Sequence, residues 1–371
     1  MALVGVNGQT QIFDYYYTIS TTLTPAFNFT ALVHAIGAGG SGGATDGESG
    51  KICIGTGGGA GGHAISKLNF TSGVTYTITI GAGATGVTIS AASVSDGNAG
   101  GATSISGSDI TTMTANGGGA GQGSAPTSIA THTEVGGTGG TATGGNIANL
   151  TGGAGGAVSC VKDGNNRSGL IATGGGALNI GRGAFAGGAV TTEANSNTAM
   201  RRASGGGGTG GKGADLTANY TTSSNMAGSG GGAIGPAATQ SSGTGSVSDI
   251  GVFSNWLSSG TNSATDMQNM AFGQNIFSNL LGSTTQGTLS NSNGGVGYNG
   301  AGGAGNCSGG SGGAATFGGG GAGQPSGYSS STSGRSYFGG GSGGLVTHTN
   351  VTGNTAGVGG DGLVIIRILE V

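Results

Sequence analysis

The sequence runs to 371 residues, of which 94 are glycine and only 4 proline; charged side chains make up 6% and the net charge is −3. Glycine at about a quarter of the chain, against a usual share near 7%, leaves too few large apolar residues for a conventional core. Its clustering in blocks such as residues 57–62, not at every third position, excludes collagen. The scarcity of charge excludes a basic surface for nucleic acid and departs from the highly charged composition of disordered chains.

In chain order, residues 12–17 and 27–36 are rich in aromatic and β-branched side chains and predict strands. Residues 1–36 therefore read as an N-terminal strand unit, the first candidate for attachment to a larger assembly. Residues 37–371 read as one glycine-rich domain. The strand at 27–36 runs straight into Gly37, Gly39 and Gly40, and a block at 55–62 runs into a further strand over 63–70. Val74, Tyr76, Ile78 and Ile80 alternate with small or polar residues, the clearest strand pattern in the chain. From residue 95 to about 235, glycine blocks alternate with Asn-, Ser- and Thr-rich connectors, and a second cluster of blocks spans residues 294–344. Residues 249–282 form an insert poor in glycine, which holds Trp256 and predicts a short amphipathic helix after Asp266. Residues 363–369 are apolar on both faces, which predicts a closing strand in the middle of a sheet.

Glycine blocks offer an unusual way to fold. In the polyproline-II-type geometry a chain makes three residues per turn, rises about 3.1 Å per residue and has no internal hydrogen bonds. Without side chains, neighbouring glycine chains of this kind (polyglycine II) approach closely and bond to one another through their sideways-pointing amides. Each bond contributes a net of about 0.5–1.5 kcal/mol, so many are needed, along with strands to nucleate them. Ala, Ser and Thr within the blocks are then expected to face outward. The expected fold is mainly β: an antiparallel, jelly-roll-like β-sandwich with a bundle of polyglycine II helices and very little α-helix.

No catalytic or cofactor motif emerges. Gly50-Lys51 is followed by Ile52 and Gly211-Lys212 by Gly213, so neither is a phosphate-binding loop. His34, His63, His132 and His348 are unclustered in sequence, which predicts no metal site. Asp163-Gly164-Asn165-Asn166 has too few carboxylates for a strong calcium loop. Cys53, Cys160 and Cys307 lie far apart and read as small apolar residues. No run is long and apolar enough to cross a membrane, and residues 1–17 lack the pattern of a secretory signal. The expectation is a protein that binds without catalysis and needs no cofactor. Its candidate receptor contacts are aromatic and arginine residues in connectors: Tyr328, Arg335, Tyr337 and Phe338, with Arg201 and Arg202. Phe253, Trp256, Leu257, Met267, Met270 and Phe277 of the insert are candidates for oligomer contacts or attachment.

The recurring order of strand and glycine block resembles the glycine-rich domains of bacteriophage tail-fibre and adhesin proteins. The runs that carry the resemblance are residues 32–40, 57–64, 76–83, 97–104, 114–119 and 359–366. The resemblance implies a β-sandwich carrying polyglycine II helices, often trimeric at a fibre tip, with variable loops that touch the host. A similar module occurs in the extracellular region of some animal receptor kinases. The function it implies is a phage virion fibre or tail-tip adhesin that binds a host surface receptor, either a glycan or an outer-membrane protein. Its partners would be other virion proteins in a homotrimer on the particle, with attachment through residues 1–30 or the insert. A structural virion component without a receptor role is the alternative, and a surface glycan hydrolase a third reading.

Overall fold

The computed structural model describes residues 13–47, 51–90, 93–127, 131–162, 169–194, 200–218, 226–227, 230–231, 302–303, 305, 311–315, 318–325, 333–347 and 354–370. These residues form strands and extended glycine segments, with no helix among them. The 249–282 insert and its expected helix lie outside the described residues, as do Cys307 and His348.

Two five-stranded antiparallel sheets share the largest hydrophobic core. The first has the order Phe13–Tyr17, Leu363–Glu370, Phe29–Ile36, His63–Phe70 and Ala148–Leu150. The second has the order Ala142–Thr143, Ile110–Ala115, Thr103–Gly107, Tyr76–Thr79 and Thr21–Leu23. Alternation decides the inward face. Phe29, Ala31, Val33 and Ala35 of one strand, with Leu68, Phe70, Val364, Ile366 and Ile368 beside them, meet Tyr76, Ile78, Ile105 and Met113 of the other sheet. The Phe29 and Phe70 rings stack at 4.7 Å, and Phe70 meets Tyr76 edge-on. As its two-sided apolar pattern predicts, Leu363–Glu370 lies between two partners. Its outward Arg367 makes a bidentate pair with Asp14, both contacts at 2.7 Å.

The glycine segments leave the ends of these strands and form a second interior made of main chain. Residues 56–62 illustrate it. The carbonyls of Thr56, Gly59 and Gly62 accept from Gly43, Gly40 and Gly37, whereas those of Gly57 and Ala60 accept from Gly137 and Gly140. The amides of Gly58 and Gly61 donate to Ser342 and Gly339, those of Gly59 and Gly62 to Gly119 and Asn116, and that of Ala60 to Gly153. Every third residue thus addresses the same neighbour. The segments touch so closely that a Cβ on Gly58 would sit 2.3 Å from the Gly40 carbonyl oxygen, and one on Gly61 2.0 Å from that of Gly37.

Ala, Ser and Thr within the blocks correct the expectation that they face outward. Ala82, Ala154 and Thr138 do, but Ala38, Ala60, Ser41, Thr56, Thr173, Ser204 and Ser342 are buried. The reason is that the lattice leaves some amides and carbonyls unpaired, and a buried hydroxyl satisfies both kinds. Thr173 Oγ1 accepts from Gly57 N at 3.0 Å and donates to Gly156 O at 2.6 Å. Ser204 Oγ accepts from Gly174 N and donates to Gly188 O. Ser342 Oγ accepts from Gly42 N and donates to Gly357 O. Ser342→Ala leaves a buried donor and a buried acceptor without partners, so it is expected to cost about 2 kcal/mol in denaturant unfolding. A change within a few tenths, as at an ordinary surface serine, would contradict that role.

Beyond the glycine segments the chain forms two mixed strand arrays, mostly parallel where antiparallel pairing is expected, each edged by one antiparallel strand, Thr131–Glu134 on Val158–Lys162 and Gly123–Thr127 on Ile52–Gly55. Val158–Lys162, Val190–Ala194 and Leu216–Ala218 pair in parallel, and so do Ile52–Gly55, Gly169–Ala172, Met200–Ala203 and Met226–Ala227. From Val158 on, outward legs gather in one array and returning legs in the other. Ile52, Ile54, Val158, Cys160, Ile171, Val190 and Leu216 form a small core between them.

Candidate functional site

Two regions carry the sequence-predicted contact residues. At the outer end, Val158–Lys162 precedes residues 163–168, Val190–Ala194 precedes 195–199, and Leu216–Ala218 precedes 219–225; each returning strand begins directly after its connector. Because these strands pair in register, the strand ends that precede the three connectors lie side by side, and so do the strand starts that follow them. Arg201 and Arg202 lie in the returning strand Met200–Ala203, opposite Leu170 and Ile171. Arg201 is half-buried, whereas Arg202 is only 1% exposed, which corrects its assignment as a surface contact: strand alternation turns it inward. Burial pushes the Cys160 thiol up to about 12, although the Arg202 charge opposes this. Cys53 and Cys160 are buried, in line with their reading as small apolar residues. Tyr328, Asp163–Asn166 and the six insert residues, Phe253, Trp256, Leu257, Met267, Met270 and Phe277, lie outside the described residues.

Arg335, Tyr337 and Phe338 come together in a cleft of about 230 Å³, formed where residues 335–338 run beside 358–361. Ser336 N donates to Val358 O, Gly360 N donates to Ser336 Oγ at 3.1 Å, and Gly339 N donates to Asp361 O at 2.9 Å. Phe338 adopts φ +43°, a backbone conformation costly for a bulky residue. Its ring packs against Ile36, Leu178 and Leu363, which holds the turn, while the neighbouring Tyr337 stays 45% exposed. Exposed Arg335 and Asp361 and the 44%-exposed Val358 complete the rim. The Asp361 carboxylate is fixed by Gly83 N, which donates to Oδ1 at 2.7 Å. A Cβ on Gly360 would lie 2.5 Å from the Tyr337 carbonyl carbon, so the floor of the cleft requires glycine.

Two polar groupings escaped the sequence reading. His34 and His63, expected to be isolated, are neighbours, because strand pairing sets His34 opposite Ile65 and His63 opposite Ile36 on one face. The His63 Nδ1–H donates to the Asn179 carbonyl at 3.0 Å, which leaves Nε2 to accept from His34 Nδ1–H, also at 3.0 Å. Burial is the main cause that lowers the affinity of both rings for protons, His63 to about 4. For His34 the Arg367 charge adds to this and Asp14 opposes it. Ser124 Oγ and Glu134 Oε1 both approach His132 Nε2, at 2.5 and 3.1 Å. A nucleophile relay needs hydroxyl and carboxylate on opposite ring nitrogens, and here both contacts fall on one. Among the described residues no three His, Cys, Asp or Glu side chains converge on a metal-sized site.

The fold and these regions define a mainly-β protein in which glycine main chain takes the place of much of the side-chain core. The chain matches the glycine-rich domain family over residues 18–252 and belongs to that family. No curated protein matches the sequence significantly. The match ends before the 335–361 cleft and before the strand Leu363–Glu370.

Proposed function

We propose that this chain is a phage virion fibre or tail-tip adhesin, in which a β-sandwich and a polyglycine II bundle hold connectors against a host surface receptor. It binds without catalysis and without a cofactor, as part of a homotrimer joined to other virion proteins. The three-residue rhythm of bonding in residues 56–62 supports the polyglycine II reading, since three residues per turn return each amide to the same side. The observation that carries the functional reading is the side-by-side pairing, on one interbonded scaffold, of the strands that precede and follow residues 163–168, 195–199 and 219–225. Binding residues sit well on loops whose ends a rigid frame fixes, and these connectors are rich in Asn, Ser and Thr, with Arg167 and Tyr220 among them.

The test is adsorption. Purified protein is expected to bind host cells saturably and to compete with particle adsorption. Replacing residues 163–168 and 195–199 with Gly/Ser sequences of equal length should abolish binding and leave the unfolding transition in place. A protein that incorporates into particles but never touches cells would instead be a structural virion component.

A further inference from the structure

We propose that the cleft between residues 335–338 and 358–361 is a subsite for one uncharged pyranose ring of a surface glycan. This rests on the adhesin reading and gives it a ligand class. Three features of the cleft select that class.

The first is size. At about 230 Å³ the cleft falls below the 300–1,000 Å³ of pockets that enclose drug-sized ligands, and it suits a single ring or a chain end. The second is the pairing of an apolar wall with a polar rim. Tyr337 and Val358 are both nearly half exposed, and the C–H face of a sugar ring covers such a surface as aromatic rings do in binding sites. Arg335 supplies only donors, whereas the Asp361 carboxylate supplies only acceptors and is already oriented by the Gly83 amide. Neighbouring hydroxyls, each donor and acceptor at once, satisfy both. The third is the presence of both charges on one small rim. An anionic ligand would meet Asp361 and a cationic one Arg335, so a neutral polyol avoids a repulsive contact that either ion would incur.

The backbone supports this assignment. Phe338 at φ +43° is held by the Gly339–Asp361 hydrogen bond and by the packing of its own ring, so the backbone that carries Tyr337 is fixed at the cleft. Gly359 and Gly360 line the floor, where the absence of side chains lets a ring approach the main chain.

The direct test is saturation-transfer NMR on the full chain with methyl α-pyranosides of glucose, mannose, galactose, rhamnose and N-acetylglucosamine, each up to about 20 mM, with glucuronate and glucosamine as charged counterparts. At least one neutral glycoside is expected to bind with a Kd near the millimolar range and to lose about tenfold in Tyr337→Ala and Arg335→Gln. Tyr337→Phe, which keeps the ring, should retain binding and controls for loss of fold. Failure of every neutral glycoside, tighter binding of glucuronate or glucosamine, or binding indifferent to Tyr337→Ala would overturn the proposal. Host-cell adsorption, measured separately on the same protein, reports on the adhesin reading. Adsorption without glycoside binding removes only the subsite; absence of adsorption removes the reading beneath it.

Discussion

Gly59→Ala is expected to destabilise the protein by about 3 kcal/mol, the upper end of overpacking costs, although it adds only one methyl group. The new Cβ would stand 1.9 Å from the Thr138 carbonyl oxygen and 2.5 Å from its carbon. Neither atom belongs to a side chain that can swing away. Relief requires moving main chain that is already bonded on several sides: Gly59 N donates to Gly119 O at 2.9 Å, Gly59 O accepts from Gly40 N at 2.8 Å, and Thr138 O accepts from Gly119 N at 2.7 Å. The adjacent Ala60→Gly is the internal control. Its methyl already has room, so removal costs roughly 1 kcal/mol, mainly through the added freedom of glycine in the unfolded chain. Denaturant midpoints of the two variants give the comparison, and equal losses would contradict a main-chain interior at this point.

The second large effect is acid loss of stability through His63. In the unfolded chain a histidine takes up a proton near 6.5, while the buried His63 does so only at about 4. Between these values the unfolded state binds more protons, so stability rises with pH across the window. The contribution is complete above 6.5, is lost as pH falls toward 4, and changes no further below it. The gap corresponds to on the order of 3 kcal/mol. His34 acts in the same direction, since its proton affinity is also lowered. Asp14, held below the usual carboxylate range by its hydrogen bonds to Arg367, adds a loss only at still lower pH. In His63→Gln the acid-dependent loss between 6.5 and 4 should shrink to what His34 leaves. A wild-type stability that stays flat across that range would show that the His63 ring is not held neutral by burial.

The two antiparallel sheets are legible in the sequence because their side chains alternate: Val74, Tyr76, Ile78 and Ile80 mark one strand, and the doubly apolar 363–369 marks a strand with a partner on each side. The glycine blocks are equally visible, but not their neighbours. A glycine carries no side chain to encode register, so nothing in residues 57–62 announces the bonds to 37–40, 116–119 or 339–342. The same gap hides the parallel arrays, whose direction follows from how successive legs turn back. Buried Ser204 and Ser342 look like surface residues until the unmatched amide and carbonyl on either side are known. Arg335, Tyr337 and Phe338 could be picked out as a group because they lie close together in the sequence, yet Val358 and Asp361 joined them only through folding. His34 and His63 stand 29 residues apart, and only the register of two strands makes them neighbours.

Amide hydrogen exchange at Gly58, Gly59, Ala60, Gly61 and Gly62 tests the replacement of a side-chain core by main chain most directly. With each amide donating to a carbonyl of a neighbouring segment, these five should exchange as slowly as Val33 and Ala35 in the middle of the first sheet, and should open only with global unfolding. Exchange at the rate of an unfolded chain, while Val33 and Ala35 stay protected, would mean that the glycine segments are passive linkers and that the two sheets alone hold the fold.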